Sequence, residues 1–109
     1  MGKDFSQKYP KAKEIFDRAD TILGIPLSQI CFEGPDERLT RTLFAQPALF
    51  VTSLAILAAL HEKYPDLNPS WVAGLSLGEF TALVACGALS FEDGLRVVQT
   101  RAQAMEECS

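Results

Sequence analysis

Histidine is almost missing from this 109-residue sequence, and cysteine is sparse: there is one histidine, His61, and three cysteines, Cys31, Cys86 and Cys108. No two cysteines form a C-x-x-C pair and His61 stands at no ligand spacing from any of them, so neither a zinc site nor a disulfide framework is expected. No metal is called for, and the thiols read as reduced thiols of a cytoplasmic protein. Positive charge is also short. Ten Lys and Arg face fourteen Asp and Glu, a net charge of −4, which leaves no broad electrostatic footprint for nucleic acid or an anionic membrane. An anionic substrate must then be held by one or two placed basic groups. Long apolar runs are missing too. The longest, Pro47 to Leu60, is interrupted by Thr52 and Ser53 and is too short to span a bilayer, so it reads as a buried helix. Met1 to Gln7 is polar, with no apolar signal segment. There are no repeats, no low-complexity tracts and no linker, and the length allows one domain or a piece of one.

What is present is mostly helical pattern. Tyr9 to Leu23 places Ala12, Ile15, Phe16, Ala19, Ile22 and Leu23 at helical spacing with charges between them. Gly24 follows where a helix C-terminal glycine belongs. Pro26 at a first helical position starts a short turn through Cys31, ended by Gly34-Pro35. Asp36 reads as the N-cap of a short helix, Glu37 to Thr40. Pro47 to Tyr64 is apolar around nearly its whole circumference, which predicts burial on most sides. Leu77 to Cys86 reads as an Ala- and Leu-rich helix ended by Gly87. Ser90, with Asp93 three residues on, opens a last helix whose inward stripe is Phe91, Leu95, Val98, Ala102 and Met105. Trp71-Val72-Ala73 is the one convincing strand. A single strand cannot make a sheet, so its neighbours are expected outside this chain and the domain is expected to be truncated.

The residues with chemical content are Gly74-Leu75-Ser76-Leu77-Gly78. This is G-x-S-x-G between a predicted strand and a predicted helix, the context of a nucleophile elbow. In such a turn the serine backbone is strained, and glycine at both flanks, Gly74 and Gly78, removes Cβ atoms that would collide. The hydroxyl then projects at a helix N-terminus, where free N–H groups stabilise an oxyanion, the backbone N–H of Leu77 first among them. A serine nucleophile needs a base. His61 reads as a solvated helix-end residue, so no base is evident. Arg101 reads in two ways: a surface arginine paired with Glu106 or Glu107, or a guanidinium that holds a carboxylate bidentately.

The run from Gly74 through Asp93 resembles the active-serine region of malonyl-CoA:acyl carrier protein transacylases and of the related acyltransferase domains of polyketide and fatty acid synthases. Phe32-Glu33-Gly34-Pro35 followed by Thr42 to Leu49, and Thr100 to Met105, are similar to two further segments of that family, so the resemblance covers nearly the whole chain in order. It implies an α/β fold, a partial α/β-hydrolase-like acyltransferase core, mostly helical here with one strand leading to the nucleophile elbow. Residues 1–109 would form a partial acyltransferase domain that lacks the first strand, the ferredoxin-like subdomain and the C-terminal part.

The resemblance also implies roles. Ser76 matches the nucleophile that takes the malonyl group, Leu77 the backbone oxyanion donor, Arg101 the arginine that pairs with the malonyl carboxylate, and Gln46 a glutamine lining the acyl pocket. The implied reaction moves malonyl from coenzyme A to the phosphopantetheine thiol of acyl carrier protein in fatty acid biosynthesis, with no cofactor, and with a histidine from elsewhere relaying the proton. One departure is Leu75, where the family usually has histidine. The other readings are a polyketide-type acyltransferase domain, an α/β serine hydrolase fragment that shares only the elbow, and a non-catalytic fragment.

Overall fold

The computed structural model describes residues 1–109, which form seven helices: α1 (Lys3–Lys8), α2 (Pro10–Leu23), α3 (Leu27–Glu33), α4 (Asp36–Thr40), α5 (Thr42–Lys63), α6 (Leu77–Ala85) and α7 (Phe91–Cys108). Helix α5 is the axis of the arrangement. Helices α2 and α7 pack along it, α1 and α3 lie beside α2, α4 leads into its N-terminus, and α6 rests on α5 and α7. The core is built from Phe16, Leu27, Phe50, Val51, Leu54, Leu95 and Val98. Alanines at 12, 19, 48, 55 and 59 are buried among them and let the helices approach closely. Burying each of the large side chains contributes about 1.5–3 kcal/mol.

Several elements follow from local signals. Gly24 has φ 68° and its N–H donates to the Asp20 carbonyl, ending α2. The Ser90 hydroxyl accepts from the Asp93 N–H at 3.1 Å and starts α7. Gly94, on the inner face of α7, lets α6 and α5 come close: a Cβ there would stand 2.7 Å from Val84 and 2.9 Å from Phe50.

Other expectations are corrected. Helix α1 was not foreseen, because its sequence carries one apolar residue, Phe5, and so no periodicity. Pro26 precedes α3 rather than opening it. Asp36 is the first residue of α4, and its side chain makes no cap bond. Helix α5 begins five residues before Pro47 and runs through it. Pro47 is the sixth residue of the helix, so its ring costs α5 one hydrogen bond, the one that an N–H at this position would donate to the Leu43 carbonyl. At 22 residues α5 is long and apolar enough to cross a membrane by length and composition, and half of its most apolar window is buried inside the bundle. Its burial is one-sided, since Leu49, Ile56 and Leu60 are exposed. Helix α6 ends at Ala85, with Cys86 as its cap. Met105 stands 46% exposed rather than in the α7 stripe.

The expected strand is not formed. Trp71–Ala73 is irregular chain, and Trp71 is 92% exposed. β-prone residues make a strand only when a neighbour takes up their backbone hydrogen bonds, and no other segment here is extended beside them. The 109 residues are therefore all helix and loop.

Candidate active site

Ser76 occupies the N-cap position of α6 with φ 57° and ψ −116°. It is the only non-glycine residue in the chain with positive φ, a conformation that costs on the order of 1–3 kcal/mol. The turn that holds it is closed by Gly78 N–H donating to the Leu75 carbonyl at 3.0 Å and Glu79 N–H donating to the Ser76 carbonyl at 3.1 Å. The two glycines differ in their roles. A Cβ on Gly74 would lie 2.0 Å from the Gly78 carbonyl oxygen and 2.5 Å from the Glu79 nitrogen, whereas a Cβ on Gly78 would meet nothing within 4 Å. Within this chain only Gly74 is sterically required, which corrects the expectation that both flanks were.

The Leu77 N–H has no acceptor among the backbone or side-chain hydrogen bonds of the chain. It sits at the positive end of the α6 dipole, beside the Ser76 hydroxyl. The first-turn N–H groups of a helix are donors in search of an acceptor, and a developing oxyanion fits that need.

Arg101 projects from α7 into this corner. Its Nη2 donates to Ser76 Oγ at 2.9 Å, and its Nη1 donates to Gln46 Oε1. The guanidinium carbon lies 5.6 Å from the centroid of the Phe80 ring. Gln46 is buried, and its Nε2 donates to the Met105 sulfur at 3.3 Å. Three helices thus converge on one guanidinium: α5 through Gln46, α6 through Ser76 and Phe80, and α7 through Arg101 itself. The extension of α5 past Pro47 matters here, because it puts Gln46 on a helix face turned toward α7.

No carboxylate pairs with Arg101. The ion pairs of the chain are Lys13–Asp17, Arg41–Glu106 and Arg96–Glu92. Glu106, one of the two surface partners considered for Arg101, is instead held by Arg41 Nη2 at 2.6 Å. That hydrogen bond holds the Glu106 carboxyl below its ordinary range. A half-buried guanidinium with two N–H groups engaged by neutral oxygens retains three more. Two of those suffice to take a ligand carboxylate bidentately.

His61 is elsewhere. It borders a cleft with Leu57, Trp71 and Cys86, at the C-terminal end of α6. The nine residues of α6 separate that end from Ser76 by about 13 Å at 1.5 Å per residue. The three cysteines are free, and burial pushes the Cys31 thiol up from its ordinary value. No three His, Cys, Asp or Glu side chains gather in a metal-binding group. Phe80 and Met105 were not foreseen as parts of the site. The i, i+4 spacing of Ser76 and Phe80 was the available signal for the first; the second depends on the α5–α7 packing and left none.

A hydroxyl on a strained turn at a helix N-terminus thus lies beside an arginine that no carboxylate of the chain neutralises. The chain belongs to the acyl transferase domain family, whose match runs over residues 1–109. Among individual proteins, it is similar to the malonyl CoA-acyl carrier protein transacylase of Bacillus subtilis, with 48% identity over 107 residues, 98% of this chain and 33% of that one. The mitochondrial malonyl-CoA-acyl carrier protein transacylase of Mus musculus is 44% identical over 102 residues, 92% of this chain and 27% of that one. The crystal structure of MCAT from Streptococcus pneumoniae superimposes with a TM-score of 0.91 at 47% identity, over 98% of this chain and 34% of that one. The chain thus spans about a third of the length of these relatives. It shares the arrangement of that third of an α/β acyltransferase. Because bacterial and mitochondrial proteins both match, kinship does not fix the compartment.

Proposed function

We propose that this chain carries the nucleophile and the acid-binding arginine of a malonyl transferase, which moves a malonyl group from coenzyme A to the phosphopantetheine thiol of acyl carrier protein in fatty acid biosynthesis. The observation that carries the reading is the unneutralised guanidinium of Arg101, held between Ser76 Oγ and Gln46 Oε1. Ser76 Oγ attacks the thioester carbonyl. The C–S bond breaks, coenzyme A leaves as its thiol, and a malonyl ester remains on Ser76. The carrier thiol then attacks that ester, and the serine hydroxyl is regenerated. Leu77 N–H donates to the oxyanion in both steps. The malonyl carboxylate takes the free N–H groups of Arg101, and Gln46 holds the guanidinium toward it. The proton of Ser76 must go to a base outside these 109 residues, since no histidine here reaches it. In the complete domain Trp71–Ala73 would join a sheet as the strand entering the elbow. The reading needs no cofactor and puts the reaction in the cytoplasm.

The test is a chimera in which residues 1–109 replace the matched third of the Bacillus subtilis relative. With malonyl-CoA and acyl carrier protein it should transfer malonyl groups. Ser76→Ala should abolish transfer of any acyl group. Arg101→Ala should lower kcat/KM for malonyl by roughly 30- to 1,000-fold, the size of a lost charge-assisted pair of about 2–4 kcal/mol, while acetyl transfer is retained. Equal loss for both acyl groups would make Arg101 structural.

A further inference from the structure

Arg101 is tied down along its edges by Gln46 and Ser76, but two edge contacts leave a guanidinium free to rock about the line that joins them. The guanidinium also lies over the ring of Phe80. This residue stands one helical turn after Ser76 on α6, and its ring is partly buried against the core. The guanidinium carbon lies 5.6 Å from the ring centroid, within the range at which a cation is attracted by the negative face of an aromatic ring. Arg101 has no carboxylate to do the same work.

From this arrangement we propose that Phe80 is a positioning residue for the acid-binding arginine: its ring face fixes the plane of the Arg101 guanidinium, and so sets how strongly the site prefers a carboxylated acyl group over a neutral one. The inference rests on the malonyl-transfer reading above. Its chemistry is separate from packing. A leucine at position 80 fills similar apolar space and keeps the α6 contacts, but has no quadrupole. A tyrosine keeps both the ring and its face.

In the chimera described above, Phe80→Leu should raise KM for malonyl-CoA roughly three- to tenfold, the range of a cation–π contact that is partly desolvated. The kcat for malonyl and both constants for acetyl-CoA should stay within twofold. Phe80→Tyr should restore the malonyl KM. Arg101→Ala serves as the reference in the same assay. If Arg101→Ala leaves the malonyl-to-acetyl ratio unchanged, the reading of the site fails and this inference falls with it. If Arg101→Ala collapses the ratio and Phe80→Leu does not move it, this inference alone is wrong. Should Phe80→Leu fail to fold, Phe80→Met carries the same comparison, with a thermal melt as the check. Equal losses for both acyl groups in a folded variant would make Phe80 a packing residue and overturn the proposal.

Discussion

Ser76 and Gly74 show how one residue's geometry is fixed by another's missing side chain. Ser76 keeps positive φ because the chain before it passes against the backbone after it, and that approach is possible only where residue 74 has no Cβ. Gly74→Ala in the chimera should therefore destabilise by about 1–3 kcal/mol or more through overpacking, and should abolish acylation by moving the hydroxyl. Gly78→Ala meets no atom in this chain. It should be neutral or add roughly 0.5–1 kcal/mol, because alanine replaces glycine within a helix. Thermal unfolding and acyl-enzyme formation, measured on both variants, separate the two; equal damage would show that residue 78 also faces a crowded space. The G-x-S-x-G spacing made the turn legible in the sequence, but treated its glycines alike. Their difference depends on the direction in which each Cα–H points across the turn, which spacing does not encode. Arg101 was legible only as a pair of alternatives, because its partners lie 25 and 55 residues away in sequence.

At the scale of elements, α5 and α7 are pinned together at one end, next to the Gln46–Arg101 contact. Arg41, the residue before α5, donates through Nε and Nη2 to Glu106 near the end of α7. The Leu43 backbone N–H, in the first turn of α5, also favours the ionised carboxylate. The pair is largely open to solvent, so its contribution is modest, but its pH dependence has a definite sign. The Glu106 carboxyl is lowered in the folded chain, chiefly by Arg41. Its stabilisation is therefore complete above the ordinary carboxylate range and is lost as pH falls through the folded-state value. Glu106→Gln should remove that part of the acid dependence. Melting temperatures of parent and variant should differ most near neutrality and converge in strong acid, and a constant gap across that range would refute the assignment. Elements with local signals were legible: α2 through its stripe and Gly24, and α7 through Ser90 and Asp93. Those that depend on distant neighbours were not. Pro47 read as a helix start because proline disfavours interior positions, and the packing of Gln46 against α7 carries the helix past it. Trp71–Ala73 read as a strand from its residue types, but a strand is a property of a pair.

At the scale of the molecule, the apolar surface and the site lead to one prediction. Trp71 and Leu75 are 92% and 89% exposed, and Leu49, Ile56, Leu60, Val72 and Leu83 add to the uncovered apolar area. Single exposed apolar residues are ordinary, but a large exposed apolar area is the kind of surface that another segment or partner covers. The relatives are about three times as long as this chain, so they have further chain from which such cover could come. The chemistry is uncovered in the same way. Ser76 has the unpartnered Leu77 N–H and an arginine beside it, and the one histidine stands at the far end of α6. An unassisted serine hydroxyl is a poor nucleophile near neutral pH, and removing the base from a serine site removes most of the rate that the serine confers. The 109-residue chain, expressed alone, should therefore bind a hydrophobic dye and self-associate, and should show no acyl-enzyme burst with labelled malonyl-CoA. The chimera should do none of the first two and should label stoichiometrically at Ser76. Labelling of the isolated chain at the rate of the Bacillus subtilis relative would show that a base is at hand within these residues, and loss of that labelling in His61→Ala would identify it.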